Sequence, residues 1–211
     1  MGLVGNRAPA PLAEVRPASS SSVELLRCLD DQDPERRREA AMDLAGVPEV
    51  VPDLLARLGR EADHRVRVAV LTTLAAQDTE RVAAGLAVHL ASDEADLRTA
   101  VAEALSTMTG SVPALLPSLL AAPDRDVRLM TVVVLAGLPQ AAAQPWLVQM
   151  ISEDPDPNVV AAAIGALLEG ATVMHAPVIE AAARRFPNDP FLSFAARMSL
   201  PPLAGTAWWR P

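Results

Sequence analysis

The sequence has no tyrosine, no lysine and a single cysteine, and only 3% of its residues are aromatic. A lone Cys28 cannot close an internal disulfide, so no disulfide framework holds this chain, and its expected role is that of a small buried hydrophobe. Without lysine, all 18 basic residues are arginine, and against 26 acidic residues they leave a net charge of −8. An acidic chain lacks the basic stripe whose phosphate contacts supply most nucleic-acid affinity, so no nucleic-acid partner is expected. The scarcity of aromatics also argues against a groove that stacks bases or chromophores. No apolar run reaches about 18 residues, and the best of them, Leu129 to Leu138, stops at Pro139, so no membrane span is expected. Met1 to Ser22 carries Arg7, Arg16, several prolines and a serine run around no apolar core. That is not a signal peptide, and the expected compartment is the cytoplasm. Richness in alanine, arginine and proline fits a high-GC bacterial gene.

What is present is a hydrophobic fraction of 51%, carried mainly by alanine, valine and leucine. Alanine and leucine lose little side-chain freedom in a helix, so the composition favours one all-helical unit. Self-similarity appears as an acidic residue followed eleven positions later by leucine. The pairs are Asp33 with Leu44, Asp63 with Leu74, Glu94 with Leu105, Asp124 with Leu135, Asp156 with Leu167 and Asp189 with Leu200. Successive acids lie 30, 31, 30, 32 and 33 residues apart.

Between these anchors, the third position after the acid is apolar in five of the six units: Val66, Leu97, Val127, Val159 and Leu192, with Arg36 the exception. The fourth is Arg37, Arg67, Arg98 and Arg128 in the first four units, then Val160 and Ser193. The seventh is Ala40, Val70, Val101, Thr131, Ala163 and Ala196. Offsets of three, seven and eleven form one stripe of a 3.6-residue helix. The acid reads as an N-cap, because its carboxylate accepts from free amides of the first turn and suits the helix dipole. Pro34, Pro157 and Pro190 follow it directly, at a position where proline forfeits no hydrogen bond. Gly46, Gly110, Gly137 and Gly170 are expected to close the helices in left-handed turns. A second apolar stretch precedes each following acid: Val50 to Leu58, Val82 to Leu90, Val112 to Leu120, Trp146 to Ile151 and Val178 to Phe186. Each unit is therefore a helical hairpin, and stacked hairpins share one continuous core. Ser21 and Glu24 fit a capping box that opens an N-terminal half-unit.

The pattern of an acid, two residues, an apolar-Arg pair, then small and apolar residues to leucine resembles the short bacterial HEAT-like repeat found in phycobilisome lyase subunits. Asp63-His-Arg-Val-Arg67 with Leu74, Asp124-Arg-Asp-Val-Arg128 with Leu135, and Asp33-Pro-Glu-Arg-Arg37 with Leu44 carry it most clearly. The resemblance covers about Ser22 to Leu200. It implies an all-α, right-handed α-solenoid of about six helical hairpins with ~31-residue repeats, the usual signatures of tetratricopeptide and ankyrin units being absent. On this reading residues 1–21 are a disordered leader and 201–211 a tail containing proline and tryptophan. Some proteins with such repeats are lyases or glycosylases, so the resemblance leaves a lyase-like or cofactor-handling subunit as the alternative to a scaffold.

No nucleophile elbow, phosphate loop or unassigned acid-base pair is visible, so no catalytic residue and no cofactor is expected. His64, His89 and His175 lie in different units without metal-ligand spacing, and the acidic loops at Asp30, Asp93 and Glu153 lack the glycine and glutamate of a calcium loop, so no metal is expected either. The ladder Arg37, Arg67, Arg98 and Arg128 reads as architecture, each guanidinium satisfying a carboxylate of its own or a neighbouring hairpin such as Asp63, Glu94 or Asp124; the alternative is an anion clamp for a partner. The tail residues Trp208 and Trp209 are candidate docking anchors, or a flap over the exposed end of the solenoid. A concave surface lined by the second helices is the other candidate, with Arg57, Arg81, His89, Gln149, His175 and Glu180 on it. The expected function is a non-catalytic scaffold, adaptor or assembly factor binding another protein within a larger complex.

Overall fold

The computed structural model describes residues 21–204. The expected leader, apart from Ser21 at the head of the first helix, lies outside the described residues, as do Trp208 and Trp209. Among the described residues there are twelve α-helices and no strand.

Six helices begin directly after an anchor acid: α2 (Pro34–Asp43), α4 (His64–Ala75), α6 (Ala95–Ser106), α8 (Arg125–Gly137), α10 (Pro157–Leu167) and α12 (Pro190–Ala204). The carboxylates of Asp33, Asp63, Asp124 and Asp156 accept from amides two or three residues on, as does Asp189 from Leu192 N at 2.7 Å. Glu94 stands at the N-cap position of α6 without making that bond. Its longer side chain is turned to Arg67 Nη2, 2.8 Å away. The second helices are α3 (Val51–Leu58), α5 (Glu80–Ala87) continued by a 3-10 turn over Val88–Ala91, α7 (Leu116–Leu120), α9 (Gln140–Glu153) and α11 (Ala176–Arg185). Pro113 and Pro117 break the third of these into a 3-10 turn and a five-residue helix. Among the described residues a single helix, α1 (Ser21–Cys28), packs on α2 at one end and α12 has no second helix at the other, so five complete hairpins lie between two single helices.

One core runs the length of the stack. Leu44, Leu74, Leu105, Leu135 and Leu167, the anchor leucines, are fully buried, joined from the second helices by Leu54, Leu58, Leu86, Leu90, Leu116, Leu147, Ile151 and Ile179. Truncating any one of these leucines to alanine costs about 2–5 kcal/mol, because close-packed neighbours collapse only partly into the void. Of the four glycines expected in left-handed turns only Gly46 has a positive φ, +76°. Gly137 serves a different need: a Cβ there would come within 2.5 Å of the Ser106 side chain, so α8 approaches α6 through it.

The two rows are spaced differently. Helices α8 and α10, of 13 and 11 residues, lie against each other along more of their length than α9 and α11, of 14 and 10. The first helices therefore form the more closely packed row of the stack.

Candidate functional site

The most regular polar feature lies at the start of the first helices. Arg37 Nη1 donates to the Asp31 carbonyl at 2.9 Å, Arg67 Nη2 to the Glu61 carbonyl at 2.7 Å, Arg98 Nη1 to the Ser92 carbonyl at 2.6 Å, and Arg128 Nη1 to the Ala122 carbonyl at 2.9 Å. The acceptor is six residues back every time. Each guanidinium thus ties down the turn that leads into its own helix, using a fork whose remaining donors are free to reach elsewhere.

At two joints they reach a buried carboxylate of the next unit. Glu61, 2% exposed, accepts from Arg37 Nε and Nη2, both at 2.9 Å, from Arg57 Nε at 2.8 Å, and from the Asp63 amide at 2.8 Å. It fastens α2, α3 and the cap of α4 to one another. Burial alone would push its carboxyl up, but Arg37, the Asp63 amide and Arg57 outweigh burial and hold it down to about 2. Asp154, 6% exposed, does the same for Arg128 at 2.8 and 3.3 Å and for the Asp156 amide at 2.9 Å. In the fifth unit Val160 replaces the ladder arginine, and Arg185 from α11 donates to the Asp154 carbonyl at 2.7 Å instead. A further joint needs no arginine. Asp78, at φ 39°, accepts from Gly110 N, Ser111 N and Ser111 Oγ at 2.9, 3.0 and 2.7 Å, and the Ser111 hydroxyl and the two amides draw its carboxyl below the usual range.

The open surface of the first helices is apolar over α2 and α4. A cavity of about 570 Å³ between α2 and α4 is lined by Met42, Ala45, Val68, Ala69, Thr72 and Ala76, with Arg38, His64 and Arg65 at its rim. A second, about 550 Å³, continues it between α4 and α6, sharing Val68, Thr72 and Ala76 and adding Leu71, Ala100 and Ala104, with Glu103 and Asp78 among its polar residues. Met42 and Val68 are 52% and 45% exposed. Together the two cavities make one trough across three helices, basic at one end and acidic at the other.

HEAT repeats match residues 22–106 and 112–200 of this sequence. The chain belongs to the HEAT-repeat family. No curated relative matches it. Among solved structures, an engineered protein from a structural genomics consortium is 20% identical over 86% of this chain and 96% of its own, with a TM-score of 0.39. The complex of CpcE and CpcF of phycocyanin lyase from Nostoc sp. PCC7120 is 17% identical over 96% of this chain and 95% of the other, with a TM-score of 0.38. Likeness at this level carries neither neighbour's activity to this HEAT-repeat protein. The gap between its two matched stretches, residues 107–111, contains the turn gripped by Asp78.

The residues expected to face a partner are spread over four hairpins of the HEAT stack, and neither cavity of the trough includes them. Arg57 is turned onto Glu61. Arg81 is exposed on α5, and His89 is half-buried beside Gly59, its imidazole held below the usual pKa by desolvation. Gln149 donates to Glu153 at 3.0 Å and lines a separate cavity of about 320 Å³ that reaches Arg128 and Asp154. His175 Nδ1 accepts from the Thr172 amide at 2.9 Å, and Glu180 lies 3.7 Å from Arg184. Among the described residues no three His, Cys, Asp or Glu side chains gather where they would hold a metal ion, and no helix is long and apolar enough to cross a membrane. Sequence reasoning missed Glu61, Asp154, Met42 and Val68. For the last two the pattern gives no distinct signal: five positions after the anchor acid Leu129, Ala161 and Phe194 are apolar as Val68 is, and nine positions after it Val133 and Met198 are apolar as Met42 is.

Proposed function

We propose that this HEAT-repeat protein is a non-catalytic scaffold or adaptor that holds a protein partner in the trough along α2, α4 and α6. One observation carries the reading: the row of first helices leaves Met42 and Val68 exposed over two joined cavities, while the ladder arginines of the same helices are bonded inward. Apolar side chains held open in a concavity are a standing cost in water and a ready source of binding free energy. The trough suits an amphipathic helix or extended segment with an apolar face, acidic where it meets Arg38 and Arg65 and basic where it meets Glu103. The ion pairs at the joints keep the helices in register, so the trough is preformed and a partner spends little free energy on ordering it.

The test is affinity purification of the tagged protein from its native host, with a photo-crosslinking residue at Thr72 and mass spectrometry of what remains. One stoichiometric polypeptide crosslinked through Thr72 is the expected result. A protein recovered alone, or a partner crosslinked only from Arg81 or Gln149 on the second helices, overturns the proposal.

A further inference from the structure

The last helix carries a large apolar group at every position of its open face. Two, five and nine residues after the anchor acid, the first helices present that face. Those positions are Glu35, Arg38 and Met42 in α2, Arg65, Val68 and Thr72 in α4, Asp96, Thr99 and Glu103 in α6, and Asp126, Leu129 and Val133 in α8. In α12 they are Phe191, Phe194 and Met198, each 60% exposed. Two of the chain's three phenylalanines and one methionine thus form an uncovered stripe. Beside it, α10 offers Gly165 at the matching position, with nothing within 4 Å of where a Cβ would stand. A ridge of large apolar groups next to an open floor is the shape that accepts a flat aromatic side chain.

We infer that the stripe is covered by the chain's own residues 205–211, with Trp208 and Trp209 lying back along α12 over Met198 and Phe194. The reach fits. Helix α12 runs to Ala204, and Gly205 follows at the position where a glycine lets the backbone reverse. Back along the helix, Met198 and Phe194 lie about 9 and about 15 Å from Ala204 at the helical rise. Four and five extended residues carry Trp208 and Trp209 about 13 and about 16 Å, so the pair spans that stretch. A tether this short keeps the occupant at millimolar effective concentration, about what a loose partner needs to be outcompeted. The seated tail closes the end of the apolar row, a role that terminal elements of repeat stacks must fill for the stack to stay apart from its copies.

Intrinsic fluorescence tests this in the full chain. With Trp146→Phe as background, the only tryptophans left are Trp208 and Trp209. The inference expects blue-shifted emission, protected from acrylamide and independent of protein concentration. Adding Phe194→Asp moves the emission to the red and raises quenching severalfold, while the helical circular dichroism is retained because Phe194 is an exposed site. As a second arm, Trp208→Ser with Trp209→Ser in an otherwise unaltered chain uncovers the stripe and raises the binding of an apolar dye. Red, fully quenchable emission that Phe194→Asp does not alter overturns the inference. Blue emission that reddens on dilution also overturns it, by assigning the stripe to a second copy, and so does unchanged dye binding in the double serine variant.

Discussion

The joint between the first and second repeats and the joint between the third and fourth begin with the same arginine and end differently. Arg37 and Arg98 each donate to a carbonyl six residues back. Arg37 then meets Glu61, the residue two before the next anchor acid, whereas the equivalent position facing Arg98 is Ala122, and no carboxylate pairs with Arg98 among the described residues. The arginine recurs in both, so what the repeat maintains is the clamp on the turn. The buried ion pair is an addition made where the next repeat supplies an acid. The strong joints, at Glu61 and Asp154, flank a middle that relies on packing, on the Arg67–Glu94 pair whose carboxylate is exposed, and on Asp78 gripping Gly110 and Ser111.

Removing the hub breaks the comparison most severely. Glu61→Ala leaves Arg37 and Arg57 without their carboxylate and the Asp63 amide without its acceptor, and a urea titration is expected to show a loss of about 3–5 kcal/mol. Acid does the same reversibly. The Glu61 carboxyl is held down to about 2 in the folded protein and titrates near 4.5 when unfolded, so its contribution is complete above about pH 5 and is lost as the pH falls toward 2. That contribution is at most about 3 kcal/mol, and Glu61→Gln should flatten the acid limb of a melting-temperature profile between pH 5 and pH 2 relative to the parent. Arg98→Ala forfeits one hydrogen bond to the Ser92 carbonyl and no ion pair, an expected loss of about 1 kcal/mol in the same titration. A cost equal to that of Glu61→Ala would erase the distinction between the joints. The smallest effect is a gain: Ala122→Asp supplies the missing acid within reach of Arg98 and the Asp124 amide, and should stabilise by less than about 1 kcal/mol.

These joints also show what a sequence can and cannot display. Anchor acids and leucines were legible because each acts within its own helix, so the same residue type recurs at a fixed interval. The position two before the acid holds Asp31, Glu61, Ser92, Ala122, Asp154 and Pro187, and no common type marks it as the hub. Its importance depends on an arginine about 25 residues earlier, a pairing made only by stacking. Three of the four glycines expected in left-handed turns have other geometry, since a glycine after a leucine anchor marks a turn or a close approach equally well. The closer packing of the first helices was illegible for the same reason, and the cavities along them add Met42 and Val68 to a candidate surface that the sequence had placed at residues such as Arg81 and Gln149.

The most direct test of the division between an architectural ladder and a binding trough is to measure the affinity of the recovered partner for two variants, Val68→Asp and Arg98→Ala, alongside their melting curves. Val68 is a half-exposed trough residue, so Val68→Asp is expected to weaken binding by about tenfold or more with the melt nearly unchanged. Arg98→Ala is expected to lower the melt and leave the affinity intact. The reverse pattern, with binding lost on changing Arg98 and untouched on changing Val68, would contradict the account.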